Sequence, residues 1–119
     1  MKLHAWNDIP NEELNPVAKR RVLHADSITV ARLFLAKGAV VPRHSHPNEQ
    51  ITMMESGKLR FIFDDSEVVV EGGQIVQIPG GEPHAVVALE DSLATDLFSP
   101  VREDWLRGDD AYLRGGGSK

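Results

Sequence analysis

The 119-residue sequence predicts a single all-β domain spanning residues 1–119. Short segments rich in Val, Ile, Leu and Phe recur along the chain, and Gly, Pro, Asp or Asn residues separate them. A spacing of roughly 8–12 residues between such segments is typical of a β-sandwich or β-barrel. No segment before residue 100 keeps an apolar period of about 3.6 residues, so we expect no long helix there. The length leaves no room for a second core of useful size.

The predicted elements follow one another at regular intervals. Strands are expected at residues 21–24, 28–36, 50–54, 59–63, 68–70, 74–78, 84–89 and 93–98. Turn residues stand at the breaks, most clearly the glycines at 72–73 and the Pro-Gly-Gly run at 79–81. After Pro100 we expect a short helical turn at 103–106. The tail at 114–119 contains three consecutive glycines and is predicted to fray.

Composition and charge narrow the possible partners. The 18 acidic and 13 basic side chains give a formal net charge of −5, which repels a phosphate backbone, so we expect no nucleic-acid partner. We interpret the basic cluster at 19–21 as a solvated strand face. No stretch approaches the ~20 apolar residues that span a bilayer, and the N-terminus does not read as a signal peptide. We therefore expect a cytoplasmic protein without a membrane partner.

Two segments carry residues suited to binding a metal. The chain has no Cys, so His, carboxylate, amide or water must supply the ligands. On a strand, His44 and His46 project from the same face, and Gln50 returns on the next strand. His84 opens a strand after the Pro-Gly-Gly turn. We predict that His44, His46, Gln50 and His84 bind one divalent transition ion. A lone histidine is usually a hydrogen-bonded core or surface residue, and we interpret His4 and His24 in that way.

These two segments resemble the paired motifs of the cupin superfamily. The first motif is Gly, five residues, H-x-H, three or four residues, Glu and a closing Gly. The second is Gly, five residues, P-x-G, two residues, His, three residues and Asn. The sequence supplies Gly38, His44, His46, Gly57, Gly73, Pro79, Gly81 and His84 at those spacings. The resemblance covers about residues 38–57 and 73–88. It implies a double-stranded β-helix, a jelly-roll-like barrel that holds the metal near one mouth.

The sequence departs from those motifs at two positions. Gln50 replaces a Glu that many members have, and Ala88 replaces an Asn. An amide in place of a carboxylate leaves the ligand set uncharged, so the metal keeps its full charge toward an anionic ligand. The alternative is that Gln50 is a spacer beside a three-histidine site. Imidazole and oxygen ligands suit Zn, Ni, Fe, Mn or Cu alike, so the identity of the ion stays open.

A narrower resemblance joins the chain to the KdgF-type small cupins. The segments that carry it are residues 19–23, 37–41, 44–50 and above all 93–106, which reads LATDLFSPVREDWL. KdgF-type proteins convert 4,5-unsaturated uronates, released by pectin or alginate lyases, into linear 5-keto sugars. The resemblance implies that Asp96, Phe98 and Arg102 line the metal pocket. Asp96 would then be the catalytic base and Arg102 the clamp for a sugar carboxylate. The alternatives are a solvent-facing or structural Asp96 and a surface Arg102.

The favoured function is therefore a metal-dependent lyase or isomerase acting on a small anionic sugar. Two alternatives remain open at this stage: a metal-dependent cupin dioxygenase, and a binding module that recognises a small ligand without turnover. We also expect a homodimer, because an open barrel exposes strand edges that need cover. Residues 33–35 and Met53 are the expected contact surface.

Overall fold

The computed structural model describes residues 1–115 and confirms the all-β fold. A 3₁₀ turn at Trp6–Asp8 precedes the first strand. The strands are β1 (Glu12–Asn15), β2 (Ala18–His24), β3 (Thr29–Leu35), β4 (Val40–His44), β5 (Glu49–Ser56), β6 (Lys58–Phe63), β7 (Glu67–Glu71), β8 (Ile75–Ile78), β9 (His84–Ala88) and β10 (Ser92–Ser99). Two short helices follow, α1 (Glu103–Leu106) and α2 (Ala111–Arg114).

The strands form two antiparallel sheets with the core between them. The six-stranded sheet has the order β1-β2-β3-β10-β5-β8, and the four-stranded sheet has the order β4-β9-β6-β7. The last strand, β10, thus lies between β3 and β5. This crossing order is that of a double-stranded β-helix, and it brings residues distant in sequence onto one inner face.

All eight predicted strands are present, with shifts at their ends. The sequence did not predict β1, whose Glu-Glu-Leu-Asn sequence has no β-branched or aromatic residue. The strand expected to carry His44 and His46 ends at His44, because the chain bends through residues 45–48. The predicted helical turn at 103–106 is α1. Within residues 1–115, no helix is long and apolar enough to cross a bilayer.

Alternation of buried and more exposed residues sets the inner face of each strand. In β3, Ala31, Leu33 and Leu35 are buried, and each large aliphatic side chain contributes about 1.5–3 kcal/mol through burial. The expectation that Leu33 and Leu35 cover the outside of the barrel is therefore wrong. Between them Phe34 points outward and is 37% exposed. Successive side chains of a strand point to opposite faces, so the range 33–35 contains two inward side chains and one outward side chain.

The interpretation of residues 19–21 as a solvated strand face is also wrong for its central member. Arg20 pairs in register with Leu33 and shares its inward direction. Its side chain is buried, forms an ion pair with Asp110, and lies 4.5 Å from the Trp105 ring centroid. A buried arginine requires charge partners. The partners of Arg20 lie on other elements, so the sequence of the basic cluster alone could not predict its burial.

The C-terminal segment packs against the barrel. α2 places Leu113 in the core, and Asn15 Nδ2 donates to the Leu113 carbonyl at 3.1 Å. Arg114, the first residue of the predicted frayed tail, is instead the last residue of α2. Residues 116–119 of that tail lie outside the described residues.

Candidate metal centre

Three histidines from two segments meet at one mouth of the barrel. His44 ends β4, His84 begins β9, and the two are directly opposite in the antiparallel ladder. His46 reaches them from the bend beyond β4, and its ring centroid lies 5.7 Å from that of His44 and 5.4 Å from that of His84. One potential ligand atom from each histidine lies within 4.8 Å of the others. The three imidazoles can therefore share one metal ion.

The Pro-Gly-Gly turn after β8 fixes the two segments against each other. The Gly81 N–H donates to the His46 carbonyl at 2.8 Å. Gly80 approaches the Pro47 carbonyl so closely that a Cβ atom there would collide with it. Gly81 itself has a φ of +82°, a conformation that favours glycine. The glycines of this motif thus let the turn seat His84 beside His46.

The same hydrogen-bond pattern orients all three imidazoles. Each Nδ1 lies 2.8–3.1 Å from a backbone carbonyl two residues away in the sequence. These carbonyls belong to Pro42, Asn48 and Glu82. A carbonyl only accepts, so Nδ1 carries the proton and each Nε2 keeps a free lone pair. Such outer contacts are typical of metal-binding histidines.

The histidines are held neutral, the form that binds metals. Burial, followed by the neighbouring His84 and His46, lowers the pKa of His44 to about 4, against the opposing effect of the hydrogen bond to Pro42. Burial and the positive charge of Arg102 together lower the pKa of His46 to about 4. The pKa of His84 is lowered for the same main reason. At neutral pH the cluster therefore presents lone pairs.

Gln50 lies next to this cluster, as the sequence predicted. Its Oε1 is 3.0 Å from Nε2 of His46. Because the His46 proton is on Nδ1, two lone pairs face each other across this distance, and a shared cation would relieve their repulsion. Three imidazole nitrogens and one amide oxygen suit Zn, Ni, Fe, Mn or Cu. The residues present thus fit a divalent transition ion, and the ligand role of Gln50 stays a prediction.

The centre opens into a cavity that runs into the barrel. The cavity is lined by Leu33, Leu35, Val41, His44, Gln50, Thr52, Leu59, Phe61, His84, Val86, Ser92, Ala94, Asp96, Phe98, Arg102, Trp105, Tyr112 and Leu113. Ten of these 18 side chains are apolar, and the other eight carry polar groups, among them two of the three histidines. This is the usual composition of a small-molecule site.

Asp96 faces into the cavity from β10. Its carboxylate accepts a 2.6 Å hydrogen bond from the Thr52 hydroxyl, and Thr52 is opposite it in the ladder. Burial raises the pKa of Asp96 to about 6, although the Thr52 hydrogen bond and the charge of Arg102 act in the other direction. The solvent-facing alternative for Asp96 is excluded in this structure. A carboxylate with such a pKa is suited to proton transfer near neutral pH.

Arg102 is buried beside the same cavity, so it is not a surface arginine. Its guanidinium lies 4.6 Å from the Phe98 ring centroid and 4.2 Å from that of Trp105. Nε and Nη2 donate to the two oxygens of Asp104 at 2.9 and 2.8 Å. The fork that was expected to clamp a substrate carboxylate thus already holds a carboxylate of the chain. Only Nη1 makes no hydrogen bond within residues 1–115.

Sequence reasoning missed Tyr112 as a residue of this site. Its ring stacks on His44 with centroids 4.6 Å apart, and its hydroxyl accepts a 2.7 Å hydrogen bond from Arg102 Nη2. Tyr112 stands on α2, beyond the segments that resemble known motifs, and no spacing pattern pointed to it. Asp104 was overlooked too, although it lies inside the resembling run. The available signal was the spacing of two positions between an arginine and an acidic residue, which allows the two side chains to pair.

Comparison with known proteins agrees with this geometry. Residues 31–99 match the cupin domain family. The chain belongs to that family. Among solved structures, it is similar to KdgF from Halomonas sp., with 27% identity, a TM-score of 0.76, and coverage of 83% of this chain and 94% of the other.

Two further solved structures support the cupin fold alone. An RmlC-like cupin from Shewanella frigidimarina has 23% identity, a TM-score of 0.81, and coverage of 88% of this cupin and 96% of that chain. An oxalate decarboxylase from B. subtilis has 20% identity, a TM-score of 0.75, and coverage of 83% and 29% respectively. A comparison with curated proteins finds no match.

Proposed function

We propose that this cupin is a metal-dependent lyase or isomerase that opens the ring of 4,5-unsaturated uronates from pectin or alginate breakdown. The observation that carries the proposal is one cavity that combines an uncharged histidine cluster, a buried carboxyl group with a pKa of about 6, and a buried guanidinium. Similarity to KdgF at 27% identity supports the choice of substrate class.

A divalent ion held by the uncharged histidines would give the site positive charge and would favour an anionic substrate. His44, His46 and His84 would hold the ion with Gln50, and none of these four side chains contributes a negative charge. When bound, the metal would supply positive charge for the carboxylate and enol oxygens of the sugar. Arg102 lines the same cavity and keeps Nη1 without a hydrogen bond within residues 1–115, while Asp104 balances its charge. Phe98, packed against His46 with centroids 5.6 Å apart, would form an apolar wall.

Asp96 would act as the general base. It takes the proton of the anomeric hydroxyl while a C=O bond forms at C1 and the bond from C1 to the ring oxygen breaks. The electron pair of that bond goes to the ring oxygen, which leaves an enol at C5 once a proton returns. The enol then tautomerises at C4 to the linear 5-keto sugar. Proton transfer by a positioned side chain typically contributes ~10²–10⁴ in rate.

The test follows the loss of the enol-ether absorbance of an unsaturated monouronate, compared with its spontaneous decay. The metal-loaded protein is expected to accelerate this loss. Asp96→Asn keeps the acceptor for Thr52 and removes the base, so kcat should fall ~10²–10⁴-fold with metal content unchanged. Asp65→Asn, an exposed carboxylate on a turn, is the matched control and should retain wild-type activity.

Three results would contradict the proposal. No acceleration by the metal-loaded wild type on any unsaturated uronate would remove the substrate assignment. Oxygen consumption during turnover would favour a dioxygenase. Thermal stabilisation by a uronate without product would favour a binding module.

A further inference from the structure

Thr52 connects the candidate metal ligand Gln50 with Asp96. Its Oγ1 lies 3.0 Å from Gln50 Nε2 and 2.6 Å from Asp96 Oδ1. The side chain is buried inside the barrel and is only 1% exposed. Within residues 1–115, these are the two hydrogen bonds that its hydroxyl makes.

The proton count fixes the direction of this chain of hydrogen bonds. A threonine hydroxyl has one proton to donate and lone pairs to accept with, whereas an ionised carboxylate only accepts. Thr52 therefore gives its proton to Asp96 and must accept from the amide N–H of Gln50. That contact turns Gln50 Nε2 away from the histidines. The carbonyl Oε1 then faces Nε2 of His46 at 3.0 Å.

We propose that Thr52 is a positioning residue that makes Gln50 a metal ligand through its oxygen. The amide nitrogen has no lone pair to offer, so the ligand is lost if the amide rotates. The same series of hydrogen bonds explains why glutamine suits position 50. A glutamate at this position has no N–H for Thr52 to accept, so its carboxylate and that of Asp96 would compete for one hydroxyl proton. The proposal concerns metal binding and does not depend on the reaction.

The first test compares metal affinity in variants of Thr52. Zn²⁺ or Ni²⁺ dissociation constants are measured by chelator competition at pH 8, where Asp96, with a pKa of about 6, is ionised. Thr52→Val keeps the volume and removes the hydroxyl, so affinity should fall ~10–100-fold, the usual effect of losing an outer-shell partner. Thr52→Ser keeps the hydroxyl and should retain wild-type metal affinity. Thr95→Val, which removes a hydroxyl bonded to Glu55 on the outer face, should change nothing.

A double-mutant cycle then asks whether Thr52 acts through Gln50. In a Gln50→Ala background there is no amide to orient, so adding Thr52→Val should cause no further loss of affinity. An equal loss in both backgrounds would overturn the proposal, as would wild-type affinity in a folded Thr52→Val protein.

A further test reverses the direction of the hydrogen bonds and leaves Thr52 in place. Gln50→Glu should gain less metal affinity than an added negatively charged ligand would normally provide, because the Thr52 hydroxyl already donates its proton to Asp96. In Gln50→Glu/Asp96→Asn, Thr52 can donate to the introduced carboxylate and accept from the amide of residue 96. Metal affinity should therefore rise from the single to the double variant, although a negative charge has been removed. A fall would contradict the proposal.

Discussion

At the scale of single residues, the metal centre depends on which nitrogen of each imidazole is free. Backbone carbonyls fix the proton on Nδ1 of His44, His46 and His84, so all three Nε2 atoms are available together. The motif spacing predicted which residues meet. It did not predict these contacts, because their carbonyls are oriented by the bends at each end of the strands.

The removal of His84 tests the centre directly. Purified wild-type protein is expected to carry close to one divalent transition ion per chain, measured by elemental analysis. His84→Ala should lose most of it, because only two imidazoles remain. His24→Ala is the control, since His24 lies outside the cluster and bonds to Thr29 Oγ1. Full metal occupancy in His84→Ala would refute the assignment.

Asp96 shows the limit of predicting the buried face of a strand from its residue pattern alone. Along β10, Ser92, Ala94, Asp96 and Phe98 are buried, whereas Leu93 and Leu97 lie on the other face. Hydrophobicity alone would place the leucines inward. The strand has the opposite arrangement because β10 is inserted between β3 and β5, and its register there turns Asp96 toward Thr52. The resemblance identified the correct face, and the pattern by itself left it open.

At the scale of elements, α2 illustrates a helix that its own sequence does not specify. Four residues are too few for a helix to be stable alone in water. The barrel holds it through the buried ion pair between Asp110 and Arg20 and through the Leu113 contacts. Since α2 carries Tyr112, this anchoring also shapes one wall of the metal cavity.

A substitution at Asp110 measures that anchoring. Asp110→Asn removes the nearer of the two carboxylates paired with the buried Arg20 and leaves the partly exposed Glu12, so the free energy of unfolding should fall by up to about 3 kcal/mol. Asp109→Asn, one residue earlier, breaks only an exposed pair with Arg107 and should cost less than about 1 kcal/mol. Urea unfolding followed by circular dichroism measures both. Equal stability of the two variants would show that the buried pair does not hold α2.

The same pair predicts a loss of stability in acid. Burial alone would raise the pKa of Asp110, but hydrogen bonds from Arg114 and Arg20 outweigh it and hold the pKa below its usual range. The stabilisation is therefore complete above the unfolded-state pKa of about 3.9 and is lost as the pH falls below it. The stability difference between wild type and Asp110→Asn should shrink between about pH 5 and pH 2. A pH-independent difference would contradict this assignment.

At the scale of the whole molecule, the outer face of the six-stranded sheet is the expected dimer surface. Phe34 lies opposite Leu93 there, and Phe34 is 37% exposed. Light scattering should give the mass of a dimer, and Phe34→Glu should shift it toward the monomer. Val69→Glu, an exposed position on the four-stranded sheet, should leave the dimer intact. A concentration-independent monomer mass for the wild type would rule out the prediction.

The amino-acid sequence by itself determined the fold class and the histidine cluster. Alternating apolar residues with glycine and proline breaks predicted the strands, and the resemblance to the paired cupin motifs implied that His84 meets His44 and His46. The tertiary structure decided the rest of the cavity. Arg102 received Asp104 and Tyr112 as partners, Arg20 was turned inward, and Asp96 was placed against Thr52. Those contacts join distant elements, and strand order and register, which local sequence does not encode, bring them together.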